Sequence, residues 1–402
     1  MLEARASEVL PTLSSSPHSR SALVSVGNLK IPFAFRTMTA VAVLAAGVVA
    51  CATPSGRPEF RIGAVLPLTG SAAVWGQNAR RGMDLALDEL NASRPGDKRI
   101  SIIYEDSRSE ARSAVSALQK LISSDHAQVV IGDIASSSVL AMAPIAENER
   151  LVLLSPGASS PEISDAGKYI FRNWQSDALE GKIDASFAFA TRNWRHVATL
   201  YVSNAYGSGL NKEFAKAFAS LGGTVIAEES FNQGAVDLRG QITRLRTKRI
   251  DALYLAGYPP EMAVALKQMK ELGLSAPVLS VQAFDDPEII ARAGSAAEGV
   301  TFSVPKPPDA TNATVSQFRI RYRSRYDVDP GVCSDTGYDA VRIIAWAFDQ
   351  GAFTGEKIMQ ALRQLKDFPG AAGATTFDSH GDVARPFEFK TIKSGASVLV
   401  SQ

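Results

Sequence analysis

Short apolar runs and amphipathic stretches alternate from residue 61 almost to the end of the chain. RIGAVLPL (61–68), ISIIYED (100–106), VVIG (129–132) and LVLL (151–154) are bounded by Gly, Ser and Asp and read as strands. Between them, Met83, Ala86, Leu87 and Leu90 recur at i, i+3, i+4, i+7, after a loop TGSAAVWG that carries Trp75. Ala111, Ala114, Val115, Leu118, Leu121 and Ile122 mark a second helix with one face toward a sheet. A second series follows YIFRN: a helix over 177–191, the strand HVATLYV, and a helix carrying Leu210, Phe214, Ala217, Phe218 and Leu221. Strands TVIAEE, DALYLAG and APVLSV then alternate with helices near 236–248, 260–272 and 286–293. Past the Pro-rich PKPPDATN, the pattern predicts a long helical region to about residue 350, a helix at 355–365, and GATTFDSHGDVARPFEFKTI as strand, turn and strand. Strand–helix alternation of this kind predicts an α/β protein of parallel sheets with right-handed crossovers, and 402 residues exceed what one core usually holds. The expectation is two Rossmann-like lobes.

Residues 129–164 carry the most chemistry. Two strand-to-helix junctions there are rich in hydroxyls and small residues, and in an open parallel sheet the C-terminal ends of neighbouring strands lie side by side. Ser136, Ser137 and Ser138 should therefore face Gly157, Ala158, Ser159 and Ser160 across a crevice. Unpaired first-turn N–H groups of two helices would make it an anion site. The alternative is that these serines only cap helices.

Residues 1–29 are Ser-rich and patternless. Met38–Ala50, MTAVAVLAAGVVA, follows Lys30 and Arg36 and is too short to span a bilayer but fits a signal-peptide core, which makes residues 1–50 a signal peptide. Val48-Val49-Ala50-Cys51 resembles a lipobox, which predicts acylation of Cys51, a tether over 51–59, and an exported, membrane-anchored lipoprotein of the cell envelope. An ordinary signal peptide cut nearby is the alternative, and it too predicts export. Composition is globular, 46% hydrophobic and 21% charged. Removing residues 1–50 takes away Arg5, Arg20, Lys30, Arg36, Glu3 and Glu8, leaving 38 basic against 39 acidic side chains and no basic patch for nucleic acid. If Cys51 carries lipid, Cys333 has no disulfide partner, and it reads as a small buried hydrophobe.

Catalytic motifs are missing from the sequence. His126, His196 and His380 have no metal-ligand spacing, there is no GxSxG, HExxH or Walker A pattern, and Gly207-Ser208-Gly209 lacks the third glycine of a dinucleotide fingerprint. A non-enzyme without cofactor or metal is expected.

GDIASSS, LLSPGASSPE, NAYGSGL and GYPPEM, in this order and spacing, resemble the leucine/isoleucine/valine-binding protein family of ABC-importer solute receptors over about residues 60–392. The resemblance implies a type I periplasmic binding protein fold whose lobes are joined by three crossings, near residues 176, 305 and 386. Lobe 1 would hold 60–176 and 306–385, and lobe 2 would hold 177–305 and 386–402. It also implies that Ser136, Gly157 and Ser159, with Ala158 between them, grip a ligand carboxylate. At about 1.5–3 kcal/mol per hydrogen bond to a charged group, a few such bonds account for a micromolar ligand at about 8 kcal/mol. Trp75 would wall the side-chain pocket, with Tyr206 and Tyr258 closing over it, although each could equally be packing; all three are expected on loops after strands. Gln282 falls where the family has a glutamate that holds the ligand ammonium, and an amide cannot neutralise that charge. Asp177 is then either the amine's partner or a helix N-cap. The expected function is a monomeric receptor that closes on a small amino acid or related carboxylate or amide and delivers it to a membrane permease with ATPase subunits. A regulator or scaffold of the cell envelope with the same fold is the alternative from another class.

Overall fold

The computed structural model describes residues 60–309 and 311–400. The signal-peptide, lipobox and tether expectations, Cys51 included, lie outside the described residues.

In chain order the elements are β1 (Phe60–Leu66), α1 (Ala73–Ala92), β2 (Ile100–Asp106), α2 (Ala111–Ser123), β3 (Val129–Gly132), α3 (Ser136–Asn148), β4 (Leu153–Ser155) and β5 (Ile170–Arg172). Then come α4 (Asp177–Ser186), β6 (His196–Val202), α5 (Ala205–Ser220), β7 (Thr224–Phe231), α6 (Arg239–Arg246), β8 (Ala252–Ala256), α7 (Pro259–Leu272), β9 (Val278–Ser280), α8 (Pro287–Ala293) and β10 (Thr301–Pro305). The chain ends with α9 (Ala313–Tyr326), α10 (Ser334–Asp349), α11 (Gly355–Gln364), β11 (Phe368–Gly370), β12 (Gly373–Thr375), β13 (Phe387–Lys393) and β14 (Ala396–Leu399). This is the expected α/β architecture in two lobes.

The first sheet is parallel, in the order β2-β1-β3-β4-β5. Its β1 is buried at every position but Arg61 because helices cover both faces, which is why it reads as a continuous apolar run. Helix α2 lies on one side through Ala114, Ala117, Leu118 and Leu121. Helix α10 lies on the other side with α1: Phe348 stacks on Phe60 at 4.6 Å, and Tyr338 Oη bonds Glu89 of α1 at 2.7 Å. The second sheet runs β14-β13-β10-β9-β8-β6-β7, parallel from β10 to β7 and antiparallel at β13 and β14.

Three local expectations give way. The second junction of residues 129–164 leads from β4 not into an α-helix but into a single 3₁₀ turn, Pro161–Asp165, since Pro156 and Pro161 leave too little uninterrupted chain. The long helical region to residue 350 is two helices, broken where Asp327 and Cys333 take left-handed φ of 55° and 69° around Pro330. Strand, turn and strand over 373–392 is replaced by two separate hairpins, β11–β12 and β13–β14. The stretch between them is a crossing.

That stretch is stitched to the chain leaving β5. Gln175 and Val383 form a parallel bridge, and Arg172 N–H donates to Gly381 O at 2.9 Å. The Arg172 side chain is fully buried; it grips Asp382 with two bonds, Nε–Oδ1 at 2.6 Å and Nη2–Oδ2 at 2.8 Å, and donates to Ser160 O at 2.7 Å. Beyond β10, Lys306 N–H donates to Pro386 O at 2.7 Å, so all three passages between the lobes are tied at one end of the cleft.

Candidate functional site

Strand ends of both sheets meet at the cleft, and the lobes touch across it. Trp75 Nε1 of lobe 1 donates to Asp286 Oδ2 of lobe 2 at 2.8 Å, Gln233 Nε2 donates to Ser109 O at 2.9 Å, and Ala205 N–H donates to Ser137 Oγ at 3.3 Å. This is a closed arrangement. Between the lobes lies a cavity of about 30 Å³ lined by Trp75, Ser136, Gly157, Ser159, Tyr206, Tyr258 and Gln282, together with Ile134, Trp174, Ala283, Val332 and Cys333.

The lobe 1 wall is built from hydroxyls. Ser136 is the first residue of α3, not its cap; the cap position is Ala135, with no side-chain bond. Its Oγ instead accepts the N–H groups of Ser159 and Ser160, at 3.2 and 3.1 Å, leaving its proton free to be donated. Ser155 Oγ likewise accepts from Gly157 N and Ala158 N, at 3.3 and 2.9 Å. The loop amides that an anion would have used are therefore taken, and Asp133 takes the N–H groups of Ile134 and Ala135 ahead of α3. Burial pushes the Asp133 carboxyl up to about 6. Gly157 must be glycine, because a Cβ there would stand 2.8 Å from Ile134 and 3.0 Å from the Cys333 sulfur. Ala158 is buried beneath this wall and does not line the cavity.

Three aromatic rings form one run from lobe to lobe. Trp75 and Tyr258 lie 5.5 Å apart at 50°, and Tyr258 and Tyr206 lie 5.8 Å apart at 45°. Loops were expected to carry all three, but Trp75 is in the first turn of α1 and Tyr206 in that of α5; only Tyr258 stands just outside a helix, at the α7 cap position. The start of α1 was invisible because Ala72 supplies no capping side chain.

Lobe 2 contributes acid. Asp177, Glu180 and Asp184 lie at i, i+3 and i+7 on α4, and all three are fully buried. Ser176, whose Oγ accepts Ala178 N–H at 3.3 Å, is the cap of α4, which corrects the N-cap reading of Asp177. Asp177 N–H donates to Ser159 O at 2.8 Å; its carboxylate has the Ser159 hydroxyl beside it but no hydrogen bond of good geometry, and the residue is not part of the cavity lining. Burial, then the neighbouring charge of Glu180, pushes the carboxyls of Asp177 and Asp184 well above the usual range. Glu180 accepts from Gln282 N at 2.6 Å, Gln282 Nε2 at 2.7 Å and Ser303 Oγ at 2.9 Å, and burial pushes it up to about 7. Gln282 thus spends its amide donors on Glu180, which leaves Oε1 buried and without a partner. Tyr206 Oη is also unpartnered.

Sequence reasoning did not single out Glu180. Its signal was the acidic i, i+3, i+7 stripe on a helix that opens at the cleft. Among the described residues no cluster of His, Cys, Asp and Glu could hold a metal ion. Cys333 is buried and free, with burial pushing its thiol well up. The arrangement offers hydroxyl donors on one side and acceptors on the other, backed by buried carboxylates.

The family model described as periplasmic binding protein matches residues 59–397. The chain is 30% identical to the leucine-, isoleucine-, valine-, threonine- and alanine-binding protein of Pseudomonas aeruginosa, covering 80% of this chain and 86% of that one. Among solved structures it is similar to a leucine-binding protein from Thermotoga maritima, with a TM-score of 0.80 at 29% identity, covering 85% of this chain and 97% of that one. It is also similar to a branched-chain amino acid transporter substrate-binding protein from Streptococcus pneumoniae in complex with isoleucine, with a TM-score of 0.77 at 26% identity, covering 84% and 97%.

Proposed function

The chain belongs to the periplasmic binding protein family, whose members bind small solutes outside the cytoplasm, and from that premise we propose that it is the receptor of an ABC importer for a small amino acid. One observation carries this reading: Ser136, Ser159 and Gln282, the last with Oε1 unpartnered, line one cavity, and the buried Asp177 carboxyl lies next to Ser159. A zwitterion would place its carboxylate toward lobe 1 and its ammonium toward lobe 2. Burying an ammonium without negative charge costs several kcal/mol. Gln282 supplies only a dipole, so the negative charge would come from Asp177 and Glu180, whose buried carboxyls are pushed toward their neutral forms until a cation arrives.

Ligand contacts made to both lobes at once would favour the closed form, a population shift between two bodies. The bodies are residues 60–176 with 306–385, and 177–305 with 386–402. Closed protein is then recognised by a membrane permease with its ATPase subunits. Cys51 anchors the receptor through a lipid, and the receptor works as a monomer. No helix of the described residues is long and apolar enough to cross a membrane.

Calorimetric titration of wild type and Asp177→Asn with a panel of amino acids and the matching des-amino acids tests the reading. We expect a micromolar amino acid whose affinity falls at least tenfold in the variant. Tight binding of a des-amino acid, indifferent to the substitution, would overturn it.

A further inference from the structure

A second and larger cavity, about 480 Å³, opens at the hinge beside the first. The two share Trp174, Gln282, Val332 and Cys333 as their partition. Its volume is that of a small-molecule site. Trp174, Phe318 and the prolines 305, 307, 308 and 330 give it flat apolar walls.

Its lining carries both signs: Asp285, Asp329 and Asp335 stand with four basic side chains, and Lys390 is already bonded to Asp285 at 2.9 Å. Gln175 and Arg385 both line it, both are at least nine-tenths buried, and each has a nitrogen donor without a partner: Gln175 Nε2 and Arg385 Nε. The remaining guanidinium nitrogens are committed, Nη1 to Asn173 O at 3.0 Å and to Gln175 Oε1 at 3.4 Å, and Nη2 to Thr375 Oγ1 at 3.5 Å. Gln175 and Arg385 are bonded to each other through Oε1 and Nη1, and each keeps one idle donor. A buried donor left without an acceptor is unfavourable, so the pair is matched to an incoming acceptor. Burial pulls the Arg385 guanidinium below its ordinary value, against the opposing charges of Asp335 and Asp339. Asp335 faces the same cavity and offsets part of that charge, which suits a single carboxylate better than a phosphate dianion. Lys306 and Arg319 stand exposed on the lining and add to the attraction for an anion.

We propose that the hinge cavity is a carboxylate-binding site, in which an organic acid group is held by Gln175 Nε2 and Arg385 Nε with its apolar body against Trp174 and Phe318. The carboxylate has two possible sources. It is either the far end of a ligand whose α-amino acid head occupies the neighbouring cleft, passing the partition at Gln282 and Cys333, or a separate small acid. In both cases the site lies where the lobes are joined, since Gln175 leaves β5, Lys306 follows β10 and Arg385 precedes β13.

Two calorimetric comparisons test this. Benzoate against benzamide probes a free acid; 2-aminoheptanedioate against 2-aminoheptanoate probes a distal carboxylate on an otherwise identical chain. The variant is Gln175→Glu, which keeps an acceptor for Arg385 and so preserves the fold, but removes the idle donor and adds a repelling charge; melting temperature checks its integrity. Tenfold or greater preference for the acid over its uncharged match in either comparison, lost in Gln175→Glu, supports the site and identifies its source. Benzoate binding with no amino acid bound would leave the hinge site standing while removing the cleft reading. If neither acid is preferred, or the preference survives Gln175→Glu, the proposal is overturned.

Discussion

Replacing Glu180 by Gln separates the electrostatics of the cleft from its shape. In the unfolded chain this carboxyl ionises near its ordinary 4.5, whereas burial in the folded protein holds its proton up to about 7. Between those pH values the folded state keeps a proton that the unfolded state has lost, so stability falls as pH rises through the window. A gap of about 2.5 pH units corresponds to about 3 kcal/mol at 1.36 kcal/mol each. Gln at 180 does not titrate. Urea unfolding of ligand-free wild type and Glu180→Gln at pH 5 and pH 8 should therefore show the loss of stability on going to pH 8 shrink by about 2–3 kcal/mol in the variant, pH 5 lying already inside the window. Some loss should remain, because Asp177 and Asp184 are pushed up in the same direction. The same substitution has a second consequence. An amide at 180 can no longer accept from both Gln282 N and Gln282 Nε2 while keeping its own donor satisfied, so the Gln282 side chain turns and presents its NH₂ to the cavity. Affinity for an amino acid should then fall by about 1–3 kcal/mol. An unchanged pH dependence in the variant would show that Glu180 is not the buried acid this reasoning requires.

Ser159→Ala should weaken ligand binding by about 1–3 kcal/mol in a calorimetric titration while leaving the melting temperature nearly unchanged. Ser136→Ala should weaken binding similarly but also lower stability by about 1–3 kcal/mol, because Ser159 N–H and Ser160 N–H lose their acceptor. Arg172→Met leaves Asp382 facing an emptied guanidinium site and should cost about 3–5 kcal/mol in urea unfolding, with Arg172→Lys intermediate. Cys51→Ser should release the protein from the membrane fraction; unchanged partitioning would remove the anchor assignment.

Much of the architecture was legible because periodicity is local. An apolar run bounded by Gly and Ser marks β3 or β8 without knowledge of its neighbours, and residues of the β3 and β4 junctions do line one cavity. What stayed hidden depends on contacts made at a distance. The sequence singles out Asp177 only as an amine partner or cap, and Glu180 and Asp184 not at all, since their burial depends on Gln282 after β9, Ser303 of β10 and Tyr254 of β8 closing around them. The anion argument brought these residues to one crevice but missed its wiring, since hydroxyls of Ser136 and Ser155 consume amides that a count of free helix N–H groups leaves available. The hinge cavity was out of reach altogether, because it exists only where residues near 175, 305, 330 and 385 converge.

The packing of α10 on α1 bears on how the chain can be made. Tyr338 and Glu89 are bonded across 249 positions of sequence, and Arg94 and Asp349 across 255. Lobe 1 therefore cannot finish its core until nearly the whole polypeptide has emerged, and its inner helix face stays bare throughout synthesis or export. Lobe 2 is different: β6 through β10 follow one another without interruption, and only β13 and β14, at one side of its sheet, arrive late. The middle of the chain is thus positioned to fold first and to hold the two halves of its neighbour together until they meet. A premature stop near residue 306 would free a nearly complete second lobe attached to an unclosed first one, the species most exposed to degradation or aggregation.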